Sequence, residues 1–217
     1  MRPTDHLRAL AAEDWQAATR HAFTDALAAG TLPPEKMAGY LQQDYLFVDG
    51  FVRLLASAIA HAPSLADSVP AAQFLAVITG PENTYFLRSF EALGVASEAE
   101  PMPEAAAFQA LMAEARASGR YELMLAVLTV AEWSYLDWAS PHADRAAALP
   151  FWLGEWITLH TGEGFEGVVA YLRAQLDAAW EGLAPEARAE VEAIFSRAVR
   201  LERAFFDAAW AGFPVRP

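Results

Sequence analysis

The chain has 217 residues, 15 basic against 28 acidic, with a formal net charge of −13; 55% of it is apolar and it holds 7 Trp, 6 Tyr and 13 Phe, which excludes a disordered chain and suffices to bury one core. The acidic balance, with no cluster of Lys and Arg, excludes a surface built to neutralise nucleic-acid phosphates. The lack of cysteine removes disulfides, thiolate metal sites and a cysteine nucleophile, and fits a reducing compartment.

Apolar residues recur with a period near 3.6 almost from end to end and Ala is abundant, so helices are predicted throughout. The first runs from Thr4 to Ala29 and stops at Gly30. Thr31-Leu-Pro-Pro-Glu turns into a second, because proline is tolerated in a first helical turn. Gln42 to His61 forms a third, ended near Pro63, and Ala71 to Leu93 a fourth, interrupted at Gly80-Pro81 and closed by Gly94. After the polar loop SEAEPMP come Pro103 to Ser118, ended by Gly119, and Tyr121 to Ala139, stopped at Ser140-Pro141. Ala146 to His160, Glu163 to Trp180 and Pro185 to Ala211 complete the set. Connections are short and nothing reads as a linker or repeat, so the expected fold class is all-α, with residues 1–217 as a single helical domain. Tyr121 to Ala139 is apolar on most of its circumference and belongs at the centre. The start, MRPTDHLRALAAEDW, has no apolar signal core, and the longest apolar run, Leu123 to Ala131, falls well short of the ~20 residues of a membrane span. A cytoplasmic protein that contacts neither membrane nor nucleic acid is expected.

The most informative feature is where three acids fall. Asp44 sits inside the stripe Met37, Leu41, Val48, Phe51, Leu55. Glu132 sits inside Tyr121, Leu125, Leu128, Tyr135, Ala139, and Glu202 inside Val191, Phe195, Ala198, Phe205, Ala209. An unpaired buried carboxylate costs several kcal/mol or raises its pKa. One such acid reads most simply as satisfied by an Arg, a Tyr or a backbone amide. Three on three helices point to a shared polar pocket, and Arg53, Arg200 and Arg203 lie outside the stripes of their neighbouring acids. Interleaved aromatics, among them Tyr45, Phe47, Phe108, Trp133, Tyr135, Trp138 and Phe205, serve core packing or, together, a flat ligand with hydrogen-bonding edges. Carboxylates suit an amino-substituted heterocycle rather than an anion, which would want Arg, Lys or helix N-termini. His160 follows Leu149, Leu153 and Trp156 on one face and reads as a core or pocket-rim residue. No ExxH or HExxH spacing occurs, so no metal and no cofactor are expected.

At these residues the chain resembles the TenA (thiaminase II) family. The segments that carry the resemblance are YLQQDYLFVDGF (Tyr40 to Phe51), PEAAAF ending at Phe108, AEWSYLDW (Ala131 to Trp138), EWITLHTGEGF (Glu155 to Phe165) and LERAFFDAAW (Leu201 to Trp210), in the family's order. The resemblance implies a heme-oxygenase-like helical bundle, assembled as a homotetramer. It also implies cleavage at the methylene on the pyrimidine ring of thiamin breakdown products. It assigns Asp44 to the aminopyrimidine, Phe47 and Tyr135 to the pocket, and Glu202 to acid–base work. Two pocket tyrosines of the family appear here as Phe108 and His160. The family's best-known branch has Cys where this chain has Ala131, with Glu132 next to it, and a second branch carries glutamate instead. Residues 131 and 132 lie about 100° apart on a helix, so Glu132 does not replace a thiolate in place. The expected function is therefore a hydrolase acting on an aminomethyl- or formylaminomethyl-pyrimidine. Glu202 and Glu132 are its catalytic pair, and Asp44, Phe47, Phe108, Tyr135 and His160 bind the small-molecule aminopyrimidine. Alternatives on the same scaffold are a non-catalytic protein that binds a small aromatic, or a metal-dependent oxidase.

Overall fold

The computed structural model describes residues 2–217, which form helices and short connections without a strand among them. The N-terminal stretch bends. In place of one helix it makes α1 (Pro3–Leu10), α2 (Ala12–Thr19) and α3 (Ala22–Ala28). The backbone leaves helical geometry at Ala11 (φ −105°, ψ 20°) and Arg20 (φ −128°, ψ 55°), and His21 caps α3, its Nδ1 accepting the Phe23 N–H at 3.0 Å. Leu7, Trp15, Phe23 and Leu27 are all buried; the three helices share the helix Pro185–Ala211 as a neighbour and pack besides on Gly162–Glu181, Tyr121–Ala139 and Phe151–Leu159 respectively, a path that one straight rod does not follow.

The predicted second and third helices are one, α4 (Pro34–His61). Pro33 and Pro34 stand at its N-cap and first turn, where a missing N–H removes no helical bond. α5 (Leu65–Val77) starts six residues ahead of the expected Ala71, because Ser64 caps it by accepting the Asp67 N–H at 3.2 Å. A π-helical turn, Ile78–Glu82, then leads into α6 (Asn83–Leu93). Pro81 has no N–H to continue the ladder, and the Asn83 N–H reaches five residues back to the Ile78 carbonyl. α7 (Pro103–Ala117) and α8 (Tyr121–Ala139) follow as predicted, with Gly119 between them at φ 64°. Ala146 to His160 is not one helix: a 3-10 segment, Ser140–Ala148, precedes α9 (Phe151–Leu159), and Pro150 stands at the break. α10 (Gly162–Glu181) and α11 (Pro185–Ala211) close the bundle.

α8 is the central helix, buried without interruption from Met124 to Tyr135 and packed against α4, α7, α10 and α11. α4 is held in register beside it by two buried glutamines. Gln42 donates to the Ala96 and Arg216 carbonyls (2.7 and 2.8 Å) and accepts the Arg216 N–H. Gln43 donates to the Glu100 carbonyl (3.0 Å) and accepts the Met102 N–H. The residue that follows them is Asp44. No helix among the described residues is long and apolar enough to cross a membrane.

Candidate active site

A hollow opens where four elements meet. α4 contributes Asp44, Phe47, Val48 and Phe51, and the π turn Ile78 and Glu82. α8 contributes Ala131, Glu132 and Tyr135, while Trp156 and His160 come from α9 and its C-cap. Spacings of three and four residues put each helix's members on one face. The space is narrow, about 30 Å³, room for one or two water molecules with the side chains as they stand.

Of the residues expected to bind or react, Asp44, Phe47, Glu132, Tyr135 and His160 border this hollow together. Ala131 and Glu132 both reach it, although successive helical positions diverge by about 100°. Two expected residues stand behind the wall. Phe108 packs edge-on against Phe47, ring centroids 4.9 Å apart. Glu202 is 3% exposed, and its buried Oε1 has no hydrogen-bond partner among the described residues. Glu82 is absent from the expected set, although it falls at three- and four-residue spacing between the buried residues Phe74 and Ile78 on one side and Tyr85 and Phe86 on the other, the same stripe signal that singles out the other acids.

The electrostatics are one-sided. Burial raises the Asp44 carboxyl well above the usual carboxylate range, and the nearby Glu82 pushes it further. Glu132 is raised by burial and then by Glu82, Glu202 and Asp44; Glu202 is raised by burial and by Asp44. Glu82, half-buried, is pushed up to about 7 by desolvation. No arginine or lysine lines the hollow. Arg53 instead grips Asp49 with two hydrogen bonds of 2.9 and 3.0 Å, and Arg203 holds Asp14 at 2.9 Å. Four acids so placed cannot all be ionised at neutral pH, and they titrate as a coupled set.

The polar partners have definite roles. The Trp156 indole N–H donates to the Tyr40 hydroxyl (3.2 Å), which lies 2.6 Å from that of Tyr135. Tyr40 is fully buried, so its proton is best placed on the Tyr135 oxygen, leaving the Tyr135 proton for the hollow. His160 donates from Nδ1–H to the Trp156 carbonyl at 2.7 Å. Burial lowers its pKa to about 4, so the ring is neutral and Nε2 is an acceptor. The site thus combines aromatic and apolar walls, two hydroxyl or imidazole contacts and a reservoir of exchangeable carboxyl protons. Among the described residues no three His, Asp or Glu side chains are arranged to hold a metal ion.

Comparison with known proteins adds the following. The profile of the TENA/THI-4/PQQC family matches residues 9–212. An aminopyrimidine aminohydrolase of Halalkalibacterium halodurans is 26% identical over 202 residues, 90% of this chain and 90% of that protein. The structure of a TenA homologue from P. horikoshii superposes with a TM-score of 0.85 at 24% identity, covering 98% of this chain and 100% of that one. The structure of heme oxygenase-2 from Synechocystis superposes with a TM-score of 0.58 at 15% identity, over 95% and 84% of the two chains, and so shares the fold.

Proposed function

From the premise that this chain belongs to the TENA/THI-4/PQQC family, we propose that it is a hydrolase of thiamin salvage, cleaving the C–N bond of an aminomethyl- or formylaminomethyl-pyrimidine without a cysteine. The relative named aminopyrimidine aminohydrolase supports the reaction class. The observation that carries the reading is the uncompensated set Asp44, Glu82 and Glu132 around one aromatic-lined hollow, with Glu202 buried behind it. Such a set favours a ligand rich in N–H donors and supplies both a proton acceptor and a proton donor.

Asp44 takes the ring edge, its carboxyl facing the amino group and adjacent ring nitrogen. Phe47, backed by Phe108, packs on the ring, while the Tyr135 hydroxyl donates and His160 Nε2 accepts. Glu132 and Glu202 share the proton transfers. The oxygen of a water molecule bonds to the methylene carbon as the C–N bond breaks, and the bonding pair leaves with nitrogen. One carboxylate takes the proton that water loses, and one carboxylic acid returns a proton to the departing nitrogen. That Glu132 borders the hollow and that Glu202 lies close enough to raise its pKa support their acting as a pair. The site opens when ligand enters, since a pyrimidine ring exceeds the present space. In this reading the protein is cytoplasmic and assembles as a homotetramer, so light scattering should give four times the chain mass of 23.6 kDa.

The test is ammonia release from the aminomethyl pyrimidine by purified protein. Turnover that falls about a hundredfold or more in Glu132→Gln and in Glu202→Gln supports the assignment. Full activity in both variants overturns it.

A further inference from the structure

The carboxylates around the hollow differ in their access to water. Asp44, Glu132 and Glu202 are 5%, 9% and 3% exposed, whereas Glu82 is half-buried, at the end of the π turn. Ile78 and Glu82, the first and last residues of that turn, both border the hollow, facing Asp44 of α4 and Glu132 of α8. Neither Asp44 nor Glu82 has a hydrogen-bond partner for its side chain among the described residues. Ionising one of the three buried acids would place a bare charge in a dry interior. Glu82 is the most exposed of the four residues, so the hollow's negative charge is held there at least cost. The wall offers that charge no counter-ion. It contains no Arg or Lys, and its one histidine is neutral, with Nδ1 committed to the Trp156 carbonyl. A ligand that brings its own positive charge supplies what the wall lacks.

We propose that Glu82 is a specificity-determining residue: its carboxylate receives the ammonium of a protonated aminomethyl substituent while Asp44 holds the ring edge. The inference rests on the hydrolase reading above and narrows its substrate class to the free amine over the neutral formylated form. A primary aminomethyl group is an ammonium at neutral pH, and its N–H groups form charge-assisted bonds with a carboxylate. So protonated, the nitrogen leaves as ammonia once water's oxygen has bonded to the methylene carbon, and the pocket's base keeps the proton water released.

The experiment compares binding of the aminomethyl pyrimidine and its neutral hydroxymethyl counterpart by calorimetry, in the wild-type chain and in Glu82→Gln. The amine should lose about tenfold to a hundredfold in affinity in the variant, the range of a lost hydrogen bond to a charged group. The alcohol should change less than about threefold. Glu82→Asp, which keeps the charge and shortens the reach, should fall between; it carries the test by itself if Glu82→Gln does not fold. Equal losses for both ligands, or no loss for either, overturn the proposal. The readout is independent of turnover: a chain that prefers the amine through Glu82 but releases no ammonia upholds Glu82 and overturns the hydrolase reading. Turnover with an unchanged preference does the reverse.

Discussion

Tyr40 illustrates how one hydroxyl organises several groups. It accepts from Trp156, reaches Tyr135 at 2.6 Å, and is wholly buried. Tyr40→Phe leaves the Trp156 indole N–H without its acceptor and frees the Tyr135 hydroxyl to turn away from the hollow. Chemical denaturation should show a loss of about 1–3 kcal/mol, the cost of stranding a buried donor. Turnover should fall with it, because Tyr135 loses its orientation; unchanged stability would show that the Trp156 N–H finds another acceptor. The carboxylates behave in the opposite sense to most core polar groups. They are arranged against one another rather than with partners, which is unfavourable for folding and useful for proton transfer.

At the scale of elements, the site depends on helices whose ends are fixed by specific chemistry. α9 carries Trp156 and His160 into the hollow, and its Gly154 lies directly on the backbone of the 3-10 segment, where a Cβ would overlap the Ala146 carbonyl oxygen. Backbone cannot give way as a side chain can. Gly154→Ala should therefore destabilise by about 1–3 kcal/mol in a thermal or denaturant melt. Because α9 must shift to admit the methyl group, activity should drop beyond what the melt accounts for. A variant that melts and turns over like the wild type would mean that α9 is free to move.

For the whole molecule, the buried acids couple stability to pH. Asp44, Glu132 and Glu202 have folded-state pKa values above those of an unfolded chain. The native state therefore binds protons more tightly than the unfolded state. The stability these groups lend is fully present below the unfolded carboxyl pKa, near 4, and is lost as pH rises through the folded values. His160, lowered to about 4, acts in the other direction, losing stability as pH falls below the ordinary histidine value. A difference measurement separates the two. Glu132→Gln removes one titrating acid and should melt higher than the wild type at pH 8, by a margin that shrinks towards pH 5. A margin that is constant with pH, or that grows on acidification, would show that Glu132 is not held protonated by burial. The net charge of −13 adds self-repulsion of the same sign, as more carboxylates ionise with rising pH.

The helical class, the central place of α8 and the burial of Asp44, Glu132 and Glu202 are legible in the order of residues alone, because a period of 3.6 records which face a helix turns to the core. That order also marked the segments that carry the family resemblance. The bends at Ala11 and Arg20 come from packing, since a helix bends to follow a surface that other helices make. The same holds for the ranking of the acids. Glu132 borders the hollow and Glu202 stands behind it, a difference of depth that two identical stripe patterns cannot express. Glu82 shares the helical spacing of Ile78, Tyr85 and Phe86, but the neighbours that make it part of the hollow come from distant stretches of chain, which spacing along one helix does not record.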